Sequence, residues 1–288
     1  MKVGVVGQGF VGSAIRNGLE NFYEVLTYDI NEKLSKNSHE DVCVYSDIIF
    51  VCVPTPMRKD GSCDTRILEA ALNHIDWQVE CGFVNGTIDA KPIVVIKSTI
   101  PPGTTDRLFD SLKFKKIELC FSPEFLTEAN SFEDFKNQTR IIVGGPRPAT
   151  GVVKGMFRKA FPTIPIVKTG TKTAEMVKYF TNCFLATKVT FANEMYELCE
   201  NTDIDYDKVC EYALYDERIG KSHLAVPGPD GDRGFGGHCF PKDLSAMISF
   251  GQNKNYDANL LREVQSSNSR FRTNKDWENM KGRAVSED

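Results

Sequence analysis

One stretch brings a thiol together with groups that would activate it: Gly234-Phe235-Gly236-Gly237-His238-Cys239-Phe240-Pro241-Lys242-Asp243. A cysteine just ahead of a proline suited to a first helical turn meets unsatisfied backbone N–H groups, which stabilise a thiolate. Lys242 adds positive charge, and Asp243, one turn on, can hold a water or orient a neighbour. Gly236 and Gly237 let a substrate approach closely. The chemistry predicted is covalent, with Cys239 as nucleophile; for the other eight cysteines, burial as small hydrophobes is the better reading.

A second stretch is suited to a dinucleotide. Gly7-Gln8-Gly9-Phe10-Val11-Gly12 follows an apolar run and opens a helix. Gly7, Gly9 and Gly12 there permit a tight turn and bring backbone N–H groups, with those of Phe10 and Val11, toward a pyrophosphate. Asp29 closes the second apolar run at the spacing of an acid that binds the adenosine ribose. It is followed by Ile30 and Asn31 rather than arginine, and a carboxylate repels a 2′-phosphate, so NAD is expected over NADP. Thr55 and Thr99 sit in loops expected at strand ends, where they read equally as cofactor contacts or as ordinary loop chemistry.

Two further pairs lie four residues apart. Lys178 and Asn182 share a helix face and can offer an ammonium and an amide to an oxyanion. Glu124 and Glu128 align if the segment after Pro123 is helical, giving a general base or a helix start. Taken alone, each pair fits a solvated surface as well.

These residues need elements to hold them. Short apolar runs at 3–6, 24–28, 48–53, 93–96, 118–121 and 141–143 alternate with amphipathic stretches, which predicts an α/β fold with a parallel, doubly wound, Rossmann-like sheet over 1–168. From Thr173 to Glu200 apolar residues recur at helical spacing. Shorter helices are expected over 207–215, after Pro241 and over 258–271, so 169–272 reads as a helical central domain carrying Cys239, and 273–288 as a mobile polar tail.

With 41% hydrophobic and 26% charged residues over 288 positions, the composition is globular. A net charge of −4 without a basic stripe gives no case for nucleic acid. No apolar run is long enough to span a membrane, and a strand-like run almost at Met1 leaves no room for a signal sequence, so a soluble cytoplasmic protein is expected. The nine cysteines, an odd count without CxxC pairs, fit reduced thiols and no metal site.

Taken in order, the glycine loop, VPTP, STIPPG, SPEFLTE, AEMVKYFTN, DERIG and GFGGHCFPKD resemble the UDP-glucose/GDP-mannose dehydrogenase family over roughly residues 1–270. The resemblance implies NAD-dependent, four-electron oxidation of a nucleotide sugar, UDP-glucose ahead of GDP-mannose, through a thiohemiacetal and thioester on Cys239. It implies Glu124 as water activator, Thr99 and Asp243 as helpers placing water, and Lys178 and Asn182 as oxyanion donors. Glu128 then lines the cofactor side, while Lys242, Arg218, Phe125, Leu126, Gly236 and Gly237 meet the substrate. Arg218 is expected to reach across a homodimer built on the central helices.

Family members usually continue into a second α/β domain that binds the substrate's nucleotide; the sequence departs from that pattern, and a short form without this domain is expected. The Val226–Asp232 insertion is long for the family and is expected to rebuild part of the substrate pocket. Two readings compete with a working enzyme: a non-catalytic NAD-binding dimeric scaffold, and a half-enzyme needing a separate substrate-binding chain. A scaffold needs only the glycine loop and the dimer surface, so the joint presence of Cys239, Lys178, Asn182, Glu124 and Asp243 argues for chemistry.

Overall fold

Runs of Ile, Val and Phe only four residues long form the centre of the fold, because a strand covered by helices on both faces can be apolar at every position. In the computed structural model, which describes residues 1–287, Ile48–Val51 and Ile93–Ile96 are buried throughout. The elements are β1 (Lys2–Val6), α1 (Phe10–Leu19), β2 (Glu24–Tyr28), α2 (His39–Tyr45), β3 (Ile48–Val51), α3 (Arg66–Val84), β4 (Ile93–Ile96), α4 (Thr104–Ser111), β5 (Glu118–Phe121), α5 (Ser131–Lys136), β6 (Ile141–Gly144), α6 (Ala149–Ala160) and β7 (Ile166–Thr169), followed by α7 (Thr171–Glu200), α8 (Tyr206–Ala213), α9 (Phe240–Gln252) and α10 (Asn259–Phe271).

The seven strands lie in the order β2-β1-β3-β4-β5-β6-β7. Leu68, Leu72, Ile75 and Val79 of α3, with Leu108 of α4, fill one face; Ile15 and Leu19 of α1, with Val153, Met156 and Phe157 of α6, fill the other. This is a doubly wound α/β sheet. Its chain reverses direction across β1, so the loops after β1 and β3 diverge and open the crevice where such sheets bind ligands.

Two features of the sheet depart from the sequence expectation. β6 pairs with β5 antiparallel, through Phe121 and Gly144. Residues 122–130 stay irregular, and α5, at six residues or roughly 9 Å, is too short to carry the chain back along the sheet for a parallel crossover. β7 escapes the pattern because it is an edge strand, with Val167 and Lys168 exposed.

The chain divides into two units, Met1–Thr55 with Thr65–Lys178, and Pro56–Asp64 with the residues from Tyr179 onward. Ala174 and Val177, in the first turns of α7, pack in the first unit's core. The second unit has its own cores, Cys183, Ala186, Phe235, Leu244, Ile248 and Val264, and Ala192, Cys199, Tyr206 and Val226. Residues 273–287 are ordered, contrary to the mobile tail expected; Asp288 lies outside the described residues. Trp277 and Ala284 are buried, and Met57 exchanges backbone hydrogen bonds with Ala284 and Ser286, both at 2.8 Å. Burial of an indole and pairing of backbone supply what the polar composition conceals. Among the described residues no helix is long and apolar enough to cross a membrane, and no group of three His, Cys, Asp or Glu residues is arranged to hold a metal ion.

At the start of α2, which Ser38 and Asp41 cap reciprocally, His39 is buried with its ring stacked on His74 at 4.1 Å. Burial, and then the His74 charge, lower its pKa to about 4. A histidine whose folded pKa lies below its unfolded value contributes fully above the unfolded pKa near 6.5 and loses that contribution as pH falls toward 4. At ~1.4 kcal/mol per pKa step, about 3 kcal/mol is at stake. Denaturant titrations at pH 7 and pH 4.5 are expected to show a His39→Leu variant losing less stability on acidification than the parent. Equal losses would remove His39 from the acid response.

Candidate functional site

The glycine loop sits at the carboxyl end of β1. Gly7 adopts φ +90°, and a Cβ there would stand 2.5 Å from the Cys52 carbonyl oxygen, so only glycine lets the chain turn this close to the end of β3 before the loops part. A Cβ at Gly12 would stand 1.8 Å from the Gly7 oxygen. Gly9, the N-cap of α1, has nothing within 4 Å of its Cβ position, leaving open space before the helix N-terminus that Phe10 and Val11 begin. Asp29, just after β2, accepts the Gln8 N–H at 2.6 Å and the Asn31 N–H at 2.8 Å, which fixes a carboxylate beside the loop. A tight turn, an open helix start and a tethered acid fit a dinucleotide. The flanking loops are tied together: Thr55 Oγ1 donates to the Thr99 carbonyl at 2.7 Å, and Ser98 Oγ to the Val53 carbonyl at 2.6 Å.

A charged cluster lies at the carboxyl ends of β4 and β5 in the same unit. Lys97, Glu124 and Lys178 are each under 9% exposed, and Lys178 Nζ meets Glu124 Oε1 at 2.8 Å. Lys97 Nζ donates to the Pro123 carbonyl at 3.0 Å, and Glu124 Oε2 accepts the Leu126 N–H at 2.6 Å. These contacts hold the segment after Pro123 out of helical geometry, so Glu124 and Glu128 do not align on a helix face; Glu128 is exposed. Burial favours the neutral acid, yet Lys178, the Leu126 N–H and Lys97 together bring the Glu124 pKa below its ordinary value. Burial lowers the Lys97 pKa to about 8, against the opposing pull of Cys52 and Glu124. Two lysines around one carboxylate suit an added negative charge on a ligand. A cavity of about 260 Å³ adjoins the cluster, lined by Val11, Lys97, Glu124, Phe125, Leu126 and Arg140 among others. The Arg140 guanidinium stacks 3.9 Å from the Phe125 ring.

In the second unit, Cys239 is the N-cap of α9, with Pro241 in the first turn. The Lys242 ammonium pairs with Asp243 Oδ1, and Asp243 Oδ2 accepts from Asn182 Nδ2 at 2.6 Å. Asp243 is 1% exposed, with one oxygen on Lys242 and the other on Asn182. Burial pulls the Lys242 pKa down, but Asp243 and then Cys239 lift it well above the ordinary value, keeping the ammonium charged. The Gly234–Gly237 run enters left-handed backbone at Gly234 and Gly237, where φ is +67° and +70°. Asn193 accepts the Gly234 N–H at 3.0 Å, and Asn268 brackets Phe235, accepting its N–H at 2.7 Å and donating to its carbonyl at 2.9 Å. Arg218 is exposed and paired with Asp216, on a loop whose Ile219 and Gly220 carbonyls accept from Lys188 Nζ at 3.1 and 2.8 Å.

The structure thus groups Cys239, Lys242, Asp243 and Asn182 in one unit, and Glu124 and Lys178 with Phe125 and Leu126 in the other. Sequence reading missed Lys97, although a charge closing the apolar run Ile93–Ile96 at the ligand-binding end of a strand is a readable signal. It also missed Asn193 and Asn268, whose roles depend on partners far along the chain.

Comparison with known proteins agrees with this geometry. Residues 31–161 match the NAD binding domain, and 172–270 the central domain, of the UDP-glucose/GDP-mannose dehydrogenase family. The first match begins beyond the glycine loop and Asp29, and the second ends before Arg272. UDP-glucose 6-dehydrogenase TuaD of Bacillus subtilis is 29% identical over 94% of this chain, and YtcA of the same organism 30% over 93%. The chain spans 63% and 67% of their respective lengths. The solved UDP-glucose dehydrogenase of the archaeon Pyrobaculum islandicum superposes with a TM-score of 0.81 at 28% identity, covering 93% of this chain and 68% of that one. Fold, dinucleotide loop and both domain matches concur: the chain belongs to the UDP-glucose/GDP-mannose dehydrogenase family.

Proposed function

We propose that this protein oxidises the primary alcohol of a nucleotide-linked hexose, UDP-glucose first among candidates, to the carboxylate through a covalent intermediate on Cys239. The observation that carries the reading is Cys239 at the start of α9 beside an ammonium that Asp243 keeps charged. NAD, held by Gly7, Gly9, Phe10, Val11, Gly12 and Asp29 with Thr55, Thr99 and Glu128 nearby, supplies the capacity to take up two electrons and a proton in each of two oxidations.

The chain's own residues do the rest. Cys239 Sγ adds to the aldehyde carbon left by the first oxidation. Lys178 and Asn182 stabilise the oxygen that gains charge in the resulting thiohemiacetal. The second oxidation turns this adduct into a thioester, and Glu124, kept ionised by Lys178, takes a proton from the water that cleaves it, releasing acid and restoring the thiol. Thr99 helps to place that water, Asp243 holds Asn182 and Lys242, and Lys242, Arg218, Phe125, Leu126, Gly236 and Gly237 meet the sugar. The scaffold alternative is disfavoured by cost: burying two lysines and a carboxylate carries a penalty of several kcal/mol per ion that a passive domain has no reason to carry. Absorbance at 340 nm with NAD and a panel of nucleotide sugars tests the proposal. Two NADH per sugar is the expected yield. Binding of NAD without turnover on any sugar would favour a scaffold or a half-enzyme.

We further propose a homodimer through α7. Phe180, Phe184, Phe191 and Leu198 are 69%, 59%, 61% and 53% exposed, and the last three recur every seven residues, the spacing of a seam that packs against another helix. Phe184→Glu with Phe191→Glu is expected to halve the mass measured by light scattering. A parent protein already monomeric at micromolar concentration would sink this assignment.

A further inference from the structure

Gly236 and Gly237, which precede His238 and Cys239, rest against a charged assembly that the reaction does not use. The Gly237 N–H donates to Asp276 Oδ2 at 2.9 Å. Asp276 Oδ1 accepts from Arg272 Nη2 at 3.0 Å, and Arg272 Nη1 donates to Asp230 Oδ2 at 2.8 Å. Arg272 Nε donates to the Asn274 carbonyl at 2.7 Å, while the Asp232 carboxylate lies 3.6 Å from Nη2 and accepts from Asn274 Nδ2 at 3.0 Å. A Cβ on Gly236 would stand 2.2 Å from Arg272 Nη2 and 2.3 Å from Asp276 Oδ1. The ion pair therefore lies directly against the Gly236 backbone, and a side chain there would have to displace it.

Arg272 is 2% exposed, and burying a guanidinium is costly unless its donors are met with good geometry. Three carboxylates and a carbonyl meet them here. Two of those carboxylates come from the Val226–Asp232 insertion, whose Asp230 and Asp232 turn to Arg272, and the third from the segment read in sequence as a tail. The assembly grips the loop at one amide, that of Gly237, two residues before the thiol. Left-handed Gly237 marks where the chain must turn to present His238 and Cys239 to α9, and a glycine run without such a hold has the greatest freedom to wander.

We propose that Asp276, aligned by Arg272, is a positioning residue that fixes the Gly236–Gly237 backbone and thereby the Cys239 thiol. This rests on Cys239 being the nucleophile, but its test reads the thiol directly. In the full chain, alkylation of Cys239 by iodoacetamide, followed by peptide mass, is measured against pH for Asp276→Ala, Asp276→Asn and Trp277→Leu, alongside kcat and KM. Asp276→Ala is expected to lower kcat about ten-fold or more with KM for NAD little changed, and to shift the pH profile of alkylation. Asp276→Asn retains an acceptor for the Gly237 N–H and restores most of the alkylation behaviour. Trp277→Leu loosens the same segment and lowers Tm without moving the profile.

If Asp276→Ala does not fold, Arg272→Lys, which keeps the charge but loses the fork joining Asp230 to Asp276, provides the same readings. An unchanged profile and kcat in the folded variant, or equal changes in Trp277→Leu, would overturn the proposal. Full activity of a Cys239→Ser variant would overturn only the nucleophile assignment, since the alkylation profiles report on the loop by themselves.

Discussion

In a Cys239→Ser variant the second oxidation is expected to fail while the fold survives. Serine differs from cysteine only in oxygen for sulfur and fits the same place at the start of α9, so the variant should unfold close to the parent. What changes is nucleophilicity: a serine hydroxyl does not ionise near neutral pH as a thiol can and needs an adjacent base. Formation of the carboxylate is expected to fall by about 10⁴-fold or more, as when a covalent nucleophile is removed from a hydrolase. The first oxidation does not use the thiol and remains possible, so the NADH yield should drop from two per sugar toward one, with aldehyde trappable by hydrazine. A variant that still delivers two NADH at the parent's rate would end the covalent reading. Activated water would then have to account for both steps.

Local sequence carried the parts of this site whose chemistry is local. Gly7, Gly9 and Gly12 act on their own turn, and Cys239, Pro241 and Asp243 on the start of one helix, so neighbouring residues disclosed both. Partnership across the chain was less legible. Glu124 and Lys178 were each noted, but paired with helical neighbours rather than with each other; the irregular segment after Pro123, fixed by Lys97 from another strand, is what turns Glu124 to Lys178. Asp276 looked like a solvated charge in a polar tail because its donor, Gly237, lies 39 residues away. The sheet shows the same division: buried strands announced themselves by apolar runs, while edge strand β7 and the reversed pairing of β6 depend on neighbours that spacing does not reveal.

Glu124→Gln is expected to trap the covalent intermediate and, separately, to lower stability in a pH-dependent way. If Glu124 activates the cleaving water, an amide there slows hydrolysis by about 10²–10⁴-fold, the usual range for loss of a general base. The thioester then accumulates and appears by intact mass as an adduct mapping to Cys239. Stability follows from the same charge. Breaking one partner of a buried ion pair costs about 3–5 kcal/mol because the other is left uncompensated.

Lys97 sets the pH dependence of that cost. Its pKa, lowered by burial to about 8, is raised in part by Glu124, so loss of the carboxylate's charge lowers it further. A base whose folded pKa lies below its unfolded value binds fewer protons folded than unfolded in the interval between, and stability climbs with pH across it. Above about pH 8 Lys97 is neutral in both proteins and the two stability curves run parallel. Below it, the parent's Lys97 takes its proton while the variant's resists, and the gap widens. Denaturant titrations at pH 6.5 and 8.5 are therefore expected to show the larger deficit at the lower pH. An equal deficit at both would mean that Lys97 does not sense Glu124, and the cluster would reduce to the Lys178 pair alone.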